Sequence, residues 1–246
     1  MALARRRLGL AAGAVVVVLL AAGFGGWWFL LRDDAPKAAS IEAAGETLDE
    51  AAASGGDPGG DVDVEGAWTV DSSIGSFDDF SGTWAGYRAD EELASVGATT
   101  AVGRTPNVSG TMTVVGDEVT AVAVEVDLTT LKSDKGQRDN ALRGRGLQTD
   151  QFPTATFSLT EPLALPDGLG SGADLPATGT GDLTIHGVTR SVTVEMTTTL
   201  QGGTAAVVGS APVKLSDFGI EAPTGFSVLS IKDDATFEFQ IFFTKQ

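Results

Sequence analysis

Three stretches of this chain alternate apolar and polar residues with a period of two. Val122, Val124, Val126 and Leu128 are interleaved with Ala121, Ala123, Glu125 and Asp127. Val192, Val194 and Met196 alternate with Thr193, Glu195 and Thr197, and Phe237, Phe239, Ile241 and Phe243 with Thr236, Glu238 and Gln240. Successive side chains of a strand point to opposite faces, so each stretch reads as a strand with one apolar face. Phe242 is the exception, an apolar residue on the outer face. Gly116-Asp117, His186-Gly187 and Gly202-Gly203 supply turn chemistry between strand segments, which is the signature of an antiparallel meander. Helical patterns are brief, around 89–95 and 137–147. A sheet of this kind removes its exposed edges by closing on itself, and about eight strands leave a lumen fit for one ligand. The expected fold is an all-β antiparallel barrel of about eight strands with short helices.

The alternation starts near Ala67, which sets the expected organisation: an anchor over 1–32, a flexible acidic linker over 33–66 and the barrel over 67–246. After Arg5, Arg6 and Arg7, the uncharged run from Leu8 to Leu31 is long enough for a transmembrane helix, with Trp27 and Trp28 suited to the far interface. Arginines before the span and acidic residues after it favour a cytoplasmic N-terminus and an extracytoplasmic barrel. Secretion after cleavage of a signal peptide near Ala38, Ala39 and Ser40 is the alternative, although such apolar regions are usually shorter. Residues 33–66, rich in Ala, Gly, Asp and Glu, have too few large apolar side chains to fold alone. A short helix over IEAAGETLDEAAA is compatible with them, and SGGDPGGD reads as a tether.

Composition narrows the function. A net charge of -17 argues against nucleic acid, whose phosphates need a basic face. With no cysteine the chain has no disulfide, thiolate nucleophile or cysteine zinc site, so the barrel is held by packing alone.

Seven segments in order carry a resemblance: WTVDSSIGSF (68–77), GYRADEEL (86–93), TAVGRTPNVSGTMTV (100–114), GQRDNALR (136–143), FPTATF (152–157), GDLTIHGVTRSVTVEM (181–196) and SDFGI (216–220). Together they resemble the YceI-like family. That resemblance implies a lipocalin-like barrel, periplasmic or exported, which binds a polyisoprenoid or similar amphiphile in its lumen and has no established catalytic cycle. It implies no cofactor beyond a bound isoprenoid lipid or quinone. Two departures stand out. Ala141 occupies the histidine position of the family's Arg-Asp-x-His-Leu pattern, and Leu215 occupies a position where relatives commonly carry arginine.

The arginines of residues 136–145 admit two roles. In one, Arg138 and Asp139 bond backbone and each other and fix the barrel end, as a planar guanidinium fork suits. In the other, an arginine at the mouth receives an anionic head group. Arg88 and Arg104 have the same alternatives, with Asp90, Glu91 or another strand-end carboxylate as structural partners. Candidate tail contacts are Phe80, Trp84, Phe157, Phe237 and Phe239, each of which can instead be core.

Catalysis finds little support. The adjacent pairs Asp78-Asp79, Glu91-Glu92 and Asp233-Asp234 point to opposite faces if they lie in strands, which makes them poor partners for a carboxylate-dependent hydrolase. His186, the chain's one histidine, falls in an expected turn, and no metal-ligand spacing is evident. An envelope interaction module without a lumen ligand is the remaining alternative, with no specific motif behind it. Asn107-Val108-Ser109 fits a glycosylation sequon, a match that arises often by chance.

Overall fold

The computed structural model describes residues 35–53, 63–95, 97–224 and 228–246. Helix α1 (Ile41–Ala53) precedes β1 (Gly66–Val70), β2 (Trp84–Leu93), β3 (Gly97–Thr105), β4 (Val108–Val115) and β5 (Glu118–Asp127). A 3-10 turn (Leu128–Thr130), β6 (Lys132–Ser133) and α2 (Gly136–Gly144) follow. Then come β7 (Thr154–Leu159), β8 (Leu163–Ala164), β9 (Leu175–Ile185), β10 (Val188–Gln201), β11 (Thr204–Lys214), a second 3-10 turn (Leu215–Phe218) and β12 (Val228–Lys245).

The twelve strands among the described residues reduce to eight barrel staves because several are pieces of one path. Strands β1 and β2 both pair with one edge of β12, Val70 opposite Phe243 and Trp84 opposite Gln240, so they form one stave interrupted by residues 71–83. Strands β3 and β4 run on through Pro106-Asn107 and pair with β2 and β1 in turn. Strands β5 and β6 pair with β4 and β3, and β7 and β8 both pair with β5. From there β9, β10, β11 and β12 follow in order, and β12 meets the first stave to close the ring. Every stave thus lies beside its neighbour in sequence, as the turn chemistry predicts. His186-Gly187 and Gly202-Gly203 take positive φ at both residues, 53° and 71° in one and 56° and 79° in the other, which matches the hairpin twist. The turn at Ala94-Ser95, the two 3-10 turns and α2 lie at one end of the barrel, here the upper end. Gly116-Asp117 and Gly202-Gly203 lie at the lower end.

The helix expected over 89–95 is instead the end of β2. Ala89, Glu91 and Leu93 are buried while Asp90 and Glu92 are exposed. Pairing with β3 on one side and β12 on the other overrides the helical propensity of the acidic residues. The pattern at 137–147 does form a helix, α2.

The described part of the expected linker, residues 35–53, is docked on the outside of the barrel. Its Ala- and Glu-rich composition favours a helix, Ser40 accepts from the Ala43 N–H at its start, and Ala44, Thr47 and Leu48 share the buried face. Ala44 and Leu48 pack on Ala206, Val208 and Phe242. This explains Phe242: the outer face of β12 is itself covered. The segment buries few apolar atoms of its own, but a ready-made wall receives them. The expected span over 8–31 lies outside the described residues. No helix among the described residues is long and apolar enough to cross a membrane.

Candidate functional site

The inward residues of the staves surround an apolar cavity of about 220 Å³. Its walls include Val122, Val124 and Val126 of β5, Val192, Val194 and Met196 of β10, and Phe237, Phe239, Ile241 and Phe243 of β12. These are the apolar members of the three alternating stretches. A second chamber of about 400 Å³ lies at the upper end between α2, the end of β2, the start of β12 and residues 215–224. Tyr87, Leu147 and Phe237 line both.

Small residues keep the lumen open. A Cβ on Gly209 would come within 2.6 Å of the Phe239 ring, one on Gly181 within 2.3 Å of the Phe157 ring, and one on Gly103 within 2.5 Å of the Tyr87 ring. Each ring therefore lies along the wall, over a glycine of the neighbouring stave, rather than across the barrel. Side chains at these glycines would push the rings into the space a guest needs.

Three of the expected tail contacts, Phe157, Phe237 and Phe239, line the cavity. Phe80 and Trp84 do not. Trp84 stands opposite Gln240 on the outer face, and its indole N–H donates to the Phe80 carbonyl at 3.1 Å. Both rings adjoin Arg104, whose guanidinium carbon is 3.7 Å from the Trp84 ring centre and 4.6 Å from that of Phe80. Arg104, 3 % exposed, pairs at 2.8 Å with Glu238, 4 % exposed, and donates to the Lys37 carbonyl. Burial pulls the Arg104 pKa down and Glu238 opposes that pull. Arg88 lies 3.5 Å from the same carboxylate and donates to the Pro36 carbonyl at 2.6 Å. Arg88 and Arg104 therefore fasten residues 36–37 to the outer wall. Their partner is mid-strand Glu238, not the strand-end carboxylates the sequence suggested, and Arg88 is corrected from ligand contact to structural clamp.

Arg138 borders the upper chamber, yet both sides of its guanidinium are taken, by Glu91, 1 % exposed, and by Asp134. Burial disfavours its charge, but Glu91 and Asp134 more than offset this and its pKa rises. Asp139 does not meet Arg138, because neighbours on a helix face apart. It accepts instead from the Ser133 amide at 2.9 Å and hydroxyl at 2.6 Å, tying α2 to β6. The expected Arg138–Asp139 bond is thus replaced by two separate ties. Ala141 and Leu215, the two departures from the family pattern, line this same chamber.

Sequence reasoning overlooked Tyr87. It belongs to GYRADEEL, one residue before Arg88, and so faces inward where Arg88 faces out. Its hydroxyl is buried without a hydrogen-bond partner, and burial pushes its pKa well above the ordinary phenol value. Trp68, its indole bonded to the Val64 carbonyl at 2.9 Å, lines the lower lumen and was also missed. Asp233, Asp234 and the histidine serve structure. Asp233 accepts from Ser216, Asp234 pairs with Lys214, and His186 Nδ1 lies 3.2 Å from the Phe218 carbonyl. Among the described residues no cluster of His, Asp and Glu could hold a metal.

Comparison with known proteins agrees with this geometry. UPF0312 proteins of Pseudomonas aeruginosa are 37% identical over 111 residues, 42% of this chain and 54% of theirs, so the chain spans about half the length of these curated relatives. A UPF0312 protein of Shewanella denitrificans is 31% identical over 155 residues, 59% of this chain and 78% of its own. The polyisoprenoid-binding domain from Saccharophagus degradans superposes with a TM-score of 0.55 at 15% identity, over 74% of this chain and 100% of that one. Burkholderia cenocepacia BcnA gives 0.50 at 20% identity, over 64% and 95%. At such identities these two likenesses speak to fold alone. The YceI-like domain model matches residues 65–243, reaching all twelve strands, and the chain belongs to that family.

Proposed function

We propose that this protein is a membrane-tethered, extracytoplasmic lipid carrier that holds the apolar chain of a polyisoprenoid or similar amphiphile in its barrel lumen. The observation that carries the reading is a closed barrel whose inward residues enclose open apolar space and hold their aromatic rings against the wall. Together the lumen and upper chamber fall in the usual size range of ligand pockets, roughly 300–1,000 Å³. Each methylene moved from water into such a space contributes about 0.8 kcal/mol, so several isoprene units bind through burial alone. The Saccharophagus degradans domain, named for polyisoprenoid binding, shares this fold. Tethering rests on Arg5 to Arg7 and the uncharged run from Leu8 to Leu31, and a carrier held beside a bilayer meets its lipid at raised effective concentration.

Organic extraction and native mass spectrometry of the full chain purified from a bacterial membrane fraction test the binding reading. A co-purifying lipid with a long apolar chain is expected. A protein that arrives empty and takes up no added polyprenyl compound overturns it. Protease accessibility of the barrel in intact cells with a permeabilised outer envelope tests its side: cleavage is expected, and protection until the inner membrane is broken overturns the placement.

A further inference from the structure

Resting on that reading, we infer that the Tyr87 hydroxyl is the hydrogen-bond donor that receives the head of the lumen ligand, and that this head is uncharged. Tyr87 lines both the apolar lumen and the upper chamber, where a chain in the first would carry its polar end. Its ring lies over Gly103, and its hydroxyl is buried with no partner. Buried hydroxyls in folded proteins nearly always have one, and an oxygen supplied by a guest completes this one.

The surrounding charges select the head. Glu91, Asp134, Asp139 and Arg138 are the ionised groups acting on the phenol, three acids against one base. That base is already held by Glu91 and Asp134. A phosphate beside the phenol would meet more negative charge than positive, because the other two cations of the chamber wall, Lys135 and Arg145, are exposed and are not among the groups acting on the hydroxyl. A ketone, quinone or ester oxygen accepts from the phenol without that repulsion. Ala141, Leu142, Leu215 and Ile220 give the chamber wall apolar surface beside the phenol-bearing strand. Arg145 borders it from an exposed position, and it has no ion-pair partner among the described residues. An anion would therefore be held at the rim and not beneath α2.

The test is a competition read by native mass spectrometry on the full chain released from detergent micelles. The probes are geranylgeranylacetone, geranylgeranyl phosphate and the hydrocarbon squalene. The wild type is expected to retain the ketone best. Tyr87→Phe, which keeps the ring on Gly103, is expected to lose roughly tenfold for the ketone and nothing for squalene, the scale of one neutral hydrogen bond. The infrared carbonyl stretch of the bound ketone should shift in the wild type and return in Tyr87→Phe. An unchanged ketone preference in Tyr87→Phe overturns the inference while leaving the lumen reading intact. So does preferential retention of the phosphate that Arg145→Ala abolishes. Failure of all three probes overturns both.

Discussion

Strand β12 has two buried faces that were buried for opposite reasons. Inward, Phe237, Phe239, Ile241 and Phe243 border a space left open. Outward, Glu238, Gln240 and Phe242 are sealed by residues 35–53 and 71–83. Gln240 donates to the carbonyls of Ser81 and Gly82 at 2.7 and 2.9 Å, and Phe242 lies beneath Ala44 and Leu48. The charged group sits on the sealed side and the emptiness on the other. Burial by itself does not distinguish a lumen from a wall, but the number of unfilled contacts does.

The sharpest way to break this contrast is Glu238→Ala. It strands Arg104 in the sealed layer without a carboxylate, and a loss of about 3–5 kcal/mol in denaturant unfolding is expected, with ligand retention by the folded fraction unchanged. A small loss would mean that the outer face is far wetter than described. Next in size is a pair of neighbours on β11. Val208→Ala, under α1, should cost about 2 kcal/mol from lost transfer energy and a new void. Val207→Ala, facing the lumen, should cost under about 1 kcal/mol because open space already adjoins it. Equal losses would argue that the lumen is packed as tightly as the wall.

The smallest effect is visible only in alkali. The chain has one tyrosine, so ultraviolet phenolate absorbance reports Tyr87 alone. Its folded pKa is raised by burial above the unfolded value of about 10. The corresponding stability is therefore fully present below pH 10 and is lost as pH rises beyond it. Phenolate should stay absent from the folded chain near pH 10 and rise with alkaline unfolding, which Tyr87→Phe should make shallower. Titration at the ordinary phenol value would place the hydroxyl in water.

Much of the barrel was legible because period two and hairpin turns are local. Val122 to Leu128, Val192 to Met196 and Phe237 to Phe243 needed only their own spacing to declare a face. The arginines and the first aromatics needed register. Trp84 and Phe237 look alike in sequence, but Trp84 stands opposite outward Gln240 and Phe237 opposite inward Tyr87. A shift of one residue exchanges wall for lumen, and no local pattern in GTWAGYRAD fixes that shift. The docking of residues 35–53 was hidden for a different reason. Their composition is that of a disordered segment, and what orders them is a distant surface built by β11, β12, Arg88 and Arg104.

That docking has a geometric consequence. Two guanidinium groups hold Pro36 and Lys37 at one point on the flank of the cylinder. The wall of the cylinder thus reaches back in sequence to residue 36, well ahead of its first strand.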